Sequence, residues 1–352
     1  MIQNTIKYCV ALLATLAVMT SCDKVSPTGV LIAGTGVEDR VEMSYAYYQQ
    51  YKGSDYRDIY VTSDDYTFLV GADSHLATDT NRLAEMFNIA LDDGDVLIAH
   101  LGDIADTKAE YYIKLDETIQ DATENWLRKN YKYSYYNDFN KHWYFSNDLE
   151  LDSVSWYSVK TYELDPTFLK TFPFFPVVGN HDITHNGWAL WSSLFGSSFY
   201  TVDVYVVEPE TYVVKYIDHY IFLDSANGTI GKKQAELIAE DNFYNGDLYR
   251  YTFVFTHTNI FRPQLWQFAS TFPREETYFL LDKFDEWNTT AVFMGHVHEW
   301  DERQIGGTYY VTLPSMGERN SPEPGEYLVR ANVTDDYIGL ETVMMNYTPN
   351  KK

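Results

Sequence analysis

A chain of 352 residues in which 45% are hydrophobic can build one large domain or two modest ones, and it is not a disordered protein. Its 51 Asp and Glu stand against 26 Lys and Arg, a formal net charge of -25 with no long block of one sign. Such a surface repels polyphosphate backbones, which excludes long nucleic acids as expected substrates, and the same charge also serves solubility.

The first element along the chain is a targeting segment. Lys7 gives a short basic region, and 10–19 is an apolar run of the length of a signal-peptide core, too short to span a bilayer. The run ends in Met19-Thr20-Ser21-Cys22, small residues before a cysteine, which resembles a bacterial lipoprotein processing site. Residues 1–21 are then expected to be removed and Cys22 lipidated, which would hold the protein to a membrane of the cell envelope. An ordinary cleaved signal with a bystander Cys22 is the alternative. Cys9 falls in the removed part, so no internal disulfide is expected.

Residues 22–65 are polar, with Ser, Gly, Pro and Asp scattered among Tyr, and are expected to be a lipid-anchored tether followed by an irregular or strand segment. From 66 to 347 short apolar strands alternate with helical stretches, the pattern of a layered α/β domain. A strand is predicted at 66–70. In 82–91, Leu83, Met86, Phe87 and Ala90 have the spacing of a helix packed on one face. Further buried-looking strands are predicted at 95–101, 174–178, 251–256 and 291–294. The alternating segments 200–207, 211–217, 220–223, 308–313 and 326–343 read as mixed or antiparallel strands, with a tight turn at Asp218-His219. The 31 Tyr are read as β-rich packing.

The polar residues of interest sit where predicted strands end. In chain order they are Asp73-Ser74-His75, Gly102-Asp103-Ile104-Ala105-Asp106, Gly179-Asn180-His181-Asp182, His257 and Gly295-His296-Val297-His298. Loops at the carboxyl ends of strands in an open α/β sheet converge on one crevice. Carboxylate and imidazole suit Zn, Fe or Mn, and the lack of thiolates argues against a structural zinc knot.

This order and spacing resemble the calcineurin-like metallophosphoesterase superfamily, whose signature runs Asp-x-His, Gly-Asp-x-x-Asp, Gly-Asn-His-Asp/Glu, His, Gly-His-x-His. The resemblance covers 67–314 and implies a four-layer α/β/β/α sandwich with two divalent or trivalent metal ions at its crest. By motif position, Asp73, His75, Asp103 and His298 would bind the first metal. Asp103, Asn180, His257 and His296 would bind the second, with Asp103 bridging. The His at the third position of the first motif sets the chain apart from the Tyr-ligated purple acid phosphatase branch.

Two metals about 3.5 to 4 Å apart lower the pKa of a shared water and neutralise charge on phosphate oxygens. The leaving oxygen still needs a proton, for which His181 is the candidate general acid. By the same resemblance Asp106 would pair with His181 and keep it protonated. The expected substrates are phosphomonoesters or small phosphodiesters outside the cytoplasm. A noncatalytic surface lipoprotein that binds a glycan or protein on the same fold is the alternative, and the oligomeric state is not legible. Of the other histidines, His100 is expected to be a satisfied core residue and His142 and His219 to lie on the surface. His185 could reach the substrate pocket.

The connection 107–171 between the second and third motifs is far longer than a plain α/β loop of roughly 2 to 6 residues. It is read as an insert emerging beside the site, with a helix at 116–129 and then Tyr131, Tyr133, Tyr135, Tyr136, Trp143, Tyr144, Trp156 and Tyr157 in a polar background. It could form a substrate-selecting wall or pack on the outside.

Overall fold

Leu97, Ile98, Ala99 and His100 are all fully buried, although their side chains alternate between the two faces of a strand. A strand buried on both faces needs a layer on each side. The computed structural model supplies those layers, and describes residues 36–51, 58–76, 81–105, 108–130, 133–137, 142–146, 157–160, 172–242, 244–246, 248–261, 272–317 and 325–346.

One sheet has five strands. β2 (Tyr66–Gly71), β3 (Ile98–His100) and β7 (Phe174–Pro176) run parallel, and β14 (Gly325–Val333) and β15 (Ile338–Met345) complete it in the order β15-β14-β2-β3-β7. The other has seven, in the order β1-β8-β9-β10-β11-β13-β12. These are β1 (Ile59–Val61), β8 (Tyr200–Val207), β9 (Val214–Leu223), β10 (Tyr251–Thr256), β11 (Ala291–Met294), β12 (Asp301–Ile305) and β13 (Thr308–Thr312). Strands β9, β10, β11 and β13 are parallel.

Three separate apolar clusters show how the layers stack. Phe68, Ala99, Phe175, Tyr220, Phe253 and Phe293, from both sheets, share the central cluster. Phe68 sits edge-on to Tyr220 and Phe253, with ring centroids 5.2 and 5.0 Å away. Truncating it to Ala would cost about 3 to 5 kcal/mol. The outer face of the five-stranded sheet packs on α2 (Asn81–Asp93), α3 (Ala109–Asn130) and α4 (Gly187–Phe195) through Met86, Phe87, Leu115 and Trp191. The outer face of the seven-stranded sheet packs on α1 (Val37–Tyr51), α5 (Gly231–Ala239) and α6 (Arg274–Glu286) through Val41, Ile238 and Phe284. This is the expected four-layer α/β/β/α sandwich.

Three expectations are corrected. Within the supposed tether and irregular or strand segment lies α1, docked on the body by Arg40, which is fully buried. Arg40 donates to both oxygens of Asp224, at 2.9 and 2.7 Å, and to Asn227 Oδ1 at 2.8 Å. The tight turn expected at Asp218-His219 is instead the interior of β9. Asp218 accepts bonds from Arg250 at 3.0 and 2.6 Å and from the Tyr66 hydroxyl at 2.7 Å. His219, expected on the surface, is 2% exposed, lies 2.5 Å from Asp203 Oδ1 and stacks on Tyr249. Polar side chains so paired are tolerated inside a strand, and the hairpin turns at 208–213 instead.

Between the second and third motifs, α3 starts seven residues before the predicted helix. A separate antiparallel sheet follows, made of β4 (Tyr133–Asn137), β5 (His142–Ser146) and β6 (Tyr157–Lys160). His142 opens β5.

Candidate metal centre

The carboxyl ends of β2, β3, β7, β10 and β11 meet at one crest, and their loops are sewn together through the backbone. The N–H of Asp73 donates to Gly102 O at 3.1 Å, that of His75 to Asp103 O at 3.0 Å, and that of Gly295 to His257 O at 2.9 Å. Glycine is required at two of these crossings. Gly102 adopts a φ of 88°, and a side chain at Gly179 would enter the space of the Asp103 backbone and carboxylate.

Five of the seven candidate ligands are themselves in the left-handed region: Asp73 (φ 52°), His75 (43°), Asp103 (50°), His296 (72°) and His298 (56°). Each costs of order 1 kcal/mol and persists only where surrounding bonds dictate it, a kind of strain that clusters at functional sites. For Asp73 those bonds come from the turn after β13. Gly317 N–H and the Ser315 hydroxyl both donate to Asp73 O, at 3.0 and 2.8 Å.

The side chains form three groups whose donor atoms lie within 4.8 Å of one another: Asp73 with His75 and His298, His75 with Asp103 and His181, and Asp103 with His257 and His296. Asp103 belongs to two of them. The ring nitrogens of His75 and His298 are 3.2 Å apart, and those of His257 and His296 3.1 Å apart. Asn180 joins the last group, its Oδ1 2.9 Å from His257 Nε2. The structure thus brings all seven sequence-predicted ligands to the crest, together with His181. Cys22 and Asp106 lie outside the described residues.

The electrostatics fit a cation. His257 Nδ1 lies 2.7 Å from the Leu101 carbonyl, which can only accept, so a neutral His257 carries its proton there. Its Nε2 lone pair then faces Asn180 Oδ1 at 2.9 Å and Asp103 Oδ2 at 3.5 Å. Acceptors turned toward one point are mutually repulsive until a positive ion joins them. Asp73 Oδ1 is buried with no hydrogen bond among the described residues, 3.5 Å from His298 Nε2. Burial alone would raise the Asp73 carboxyl, but His298, His257 and His75, when they carry a proton, outweigh it and hold it below the usual carboxylate range. Asp103 is likewise lowered, burial being overcome by His257 and His181. Burial pushes the His75 imidazole down. Ionised carboxylates and a neutral imidazole are the protonation states that ligate metals.

His181 is exposed at the rim, with its backbone N–H 2.7 Å from Asp103 Oδ1 and its ring edge-on to His75 at 4.8 Å. His185 is also exposed, in the left-handed conformation. His100 corrects an expectation: it is a core residue but not a satisfied one. Neither ring nitrogen has a hydrogen-bond partner among the described residues, and burial pushes its pKa down to about 4.

Sequence reasoning gave no role to Asp182 or Ser315. Asp182 is fully buried and accepts bonds from the N–H groups of Gly179 (2.8 Å), Ile104 (3.1 Å) and Ala105 (3.2 Å). Burial and the neighbouring Asp103 push its carboxyl above the usual range, and the amide donors oppose them. Its signal was the last position of the third motif. Ser315 carried none beyond a Ser-x-Gly turn.

Neither a family profile nor a curated protein matches this sequence. Solved structures do. GAP50, the anchor in the inner membrane complex of Plasmodium, is 11% identical over 82% of this chain and 90% of its own, with a TM-score of 0.46. A dimetal phosphatase from Danio rerio is 12% identical over 80% of this chain and 99% of its own, at 0.43. A purple acid phosphatase from yellow lupin seeds is 11% identical over 80% of this chain and 52% of its own, at 0.49. Likenesses this distant assign neither activity nor substrate to the chain.

Proposed function

We propose that this chain is a two-metal phosphoesterase of the calcineurin-like superfamily, acting on phosphomonoesters or small phosphodiesters. The observation that supports the reading most is the convergence of acceptors around Asp103: His257 Nε2, Asn180 Oδ1 and the Asp103 carboxylate turn toward one point that a cation satisfies. The motif order read from the sequence supports it independently.

Asp73, His75, Asp103 and His298 would hold one metal, and Asp103, Asn180, His257 and His296 the other. When bound, two metals supply Lewis acidity toward the phosphate oxygens and bring the pKa of water near neutrality. The protein contributes the rest. Asp103, fixed by the His181 N–H, would be the ligand shared by the two positions. The exposed His181 ring stands at the rim, where an ester oxygen would depart, and donates the proton that oxygen needs. Asp106 is assigned the role of keeping that ring protonated.

Metals could be Mn, Fe or Zn. Cys22 is proposed as the lipidated first residue of the mature protein, which would anchor it in the cell envelope, where its partner would be a small phosphate-ester substrate. Elemental analysis of the purified protein, with turnover of p-nitrophenyl phosphate and its bis ester, tests the reading. Bound metal with hydrolysis of either ester is expected. Bound metal without any hydrolysis would favour the noncatalytic alternative.

A further inference from the structure

Two loops carry the centre of the crest. One follows β3 and bears Asp103; the other follows β7 and bears Asn180 and His181. Between them lies the fully buried side chain of Asp182. Its Oδ2 accepts the N–H of its own loop at Gly179, 2.8 Å away, and its Oδ1 accepts those of Ile104 and Ala105 in the Asp103 loop, at 3.1 and 3.2 Å. A fourth donor comes from outside both loops. The Tyr112 hydroxyl, in the first turn of α3 where the insert begins, is 3.4 Å from Asp182 Oδ1. Tyr112 is itself buried.

We propose that Asp182 is the positioning residue that fixes the bridging Asp103 against Asn180 and His181, and that Tyr112 ties this latch to the insert. The inference rests on the two-metal reading and adds to it a route by which the insert bears on metal affinity. The chemistry of the latch is specific. All four partners are donors, so both oxygens of Asp182 must accept. An asparagine has one acceptor oxygen and one NH2, which would have to face Gly179 or the Ile104 and Ala105 pair, donor against donor. Among the described residues no cationic side chain bonds Asp182, so the two loops are joined here by backbone amide donors, with the Tyr112 hydroxyl beside them. Outer partners of this kind are worth about 10 to 100-fold in metal affinity.

The test compares wild type, Asp182→Asn, Tyr112→Phe and Glu276→Gln. Glu276 is a structural control, a buried carboxylate outside the Asp103 and Asn180 loops that accepts bonds from the Thr229 hydroxyl and Ile230 N–H. Mn(II) is titrated calorimetrically into the metal-free proteins, and amide hydrogen exchange is followed in the same samples. Asp182→Asn is expected to weaken Mn(II) binding about 10 to 100-fold and to speed exchange at Gly179, Ile104 and Ala105. Tyr112→Phe should weaken it a few-fold, and Glu276→Gln should lower melting temperature while leaving Mn(II) affinity unchanged. Wild-type Mn(II) affinity in Asp182→Asn would overturn the proposal, as would an equal loss in Glu276→Gln. Should Asp182→Asn fail to fold, unchanged Mn(II) affinity in Tyr112→Phe overturns it. A wild-type chain that binds no Mn(II) would overturn the two-metal reading itself, a result distinct from these.

Discussion

Asp103 Oδ2 stands 3.5 Å from His257 Nε2. The first belongs to the loop after a strand of the five-stranded sheet and the second to the loop after a strand of the seven-stranded sheet, so this contact joins the two halves of the sandwich at the crest. His257 is held from behind by the Leu101 carbonyl, and Asp103 by the His181 N–H. Neither can turn away without breaking the bond that holds it.

Asp103→Ala should therefore lose metal from both positions together with activity. Elemental analysis checks it. Normal metal stoichiometry in that variant would show that the bridging assignment is wrong.

His181→Ala should behave differently, because assisting a leaving group is separable from holding a metal. Both metals should remain, and hydrolysis should slow by about 10² to 10⁴-fold. The loss should be much greater on an alkyl phosphate than on p-nitrophenyl phosphate, whose leaving group departs without a proton. Because His181 also belongs to a group with His75 and Asp103, loss of a metal would instead make it a ligand.

His100 links the core to pH. Its folded pKa, depressed to about 4 by burial, lies below the roughly 6.5 of an unfolded chain. Between those values the unfolded state binds the extra proton, so stability is full above about pH 6.5 and falls toward pH 4, by roughly 3 kcal/mol in total. His100→Leu removes two unpartnered nitrogens and should flatten that part of the profile. Denaturant unfolding at a series of pH values measures it, and an unchanged slope in the variant would contradict the assignment.

Arg40→Ala leaves the Asp224 carboxylate buried without its cation. Breaking such a pair costs about 3 to 5 kcal/mol. The unfolding midpoint of the variant should fall accordingly, and a change under 1 kcal/mol would mean that α1 is dispensable to the body.

How much of this could be read beforehand depended on what each segment buries. The strands 66–70, 251–256 and 291–294 announce themselves because both of their faces are apolar or nearly so. The face that α1 buries includes Arg40 and Ser44, satisfied by Asp224 and Ser198 far along the chain, and no periodicity of apolar residues signals that. Asp218 and His219 misled for the same reason. The candidate site was legible in its residue types and order, because ligands must be chemically distinctive and the loops follow recognisable strands. What was not legible is backbone geometry: the left-handed conformations of Asp73 and His296, and the choice of Asp182 as the side chain between two loops, depend on contacts made only after folding.

The central claim is that the crest works as a pair of metals. Its most direct test is to strip the purified protein with a chelator, add Mn(II) in small steps, and follow p-nitrophenyl phosphate hydrolysis against equivalents bound. Activity should be lost on stripping and return to a plateau at two equivalents per chain. Full activity in the stripped protein, or a plateau reached at one equivalent, would contradict it.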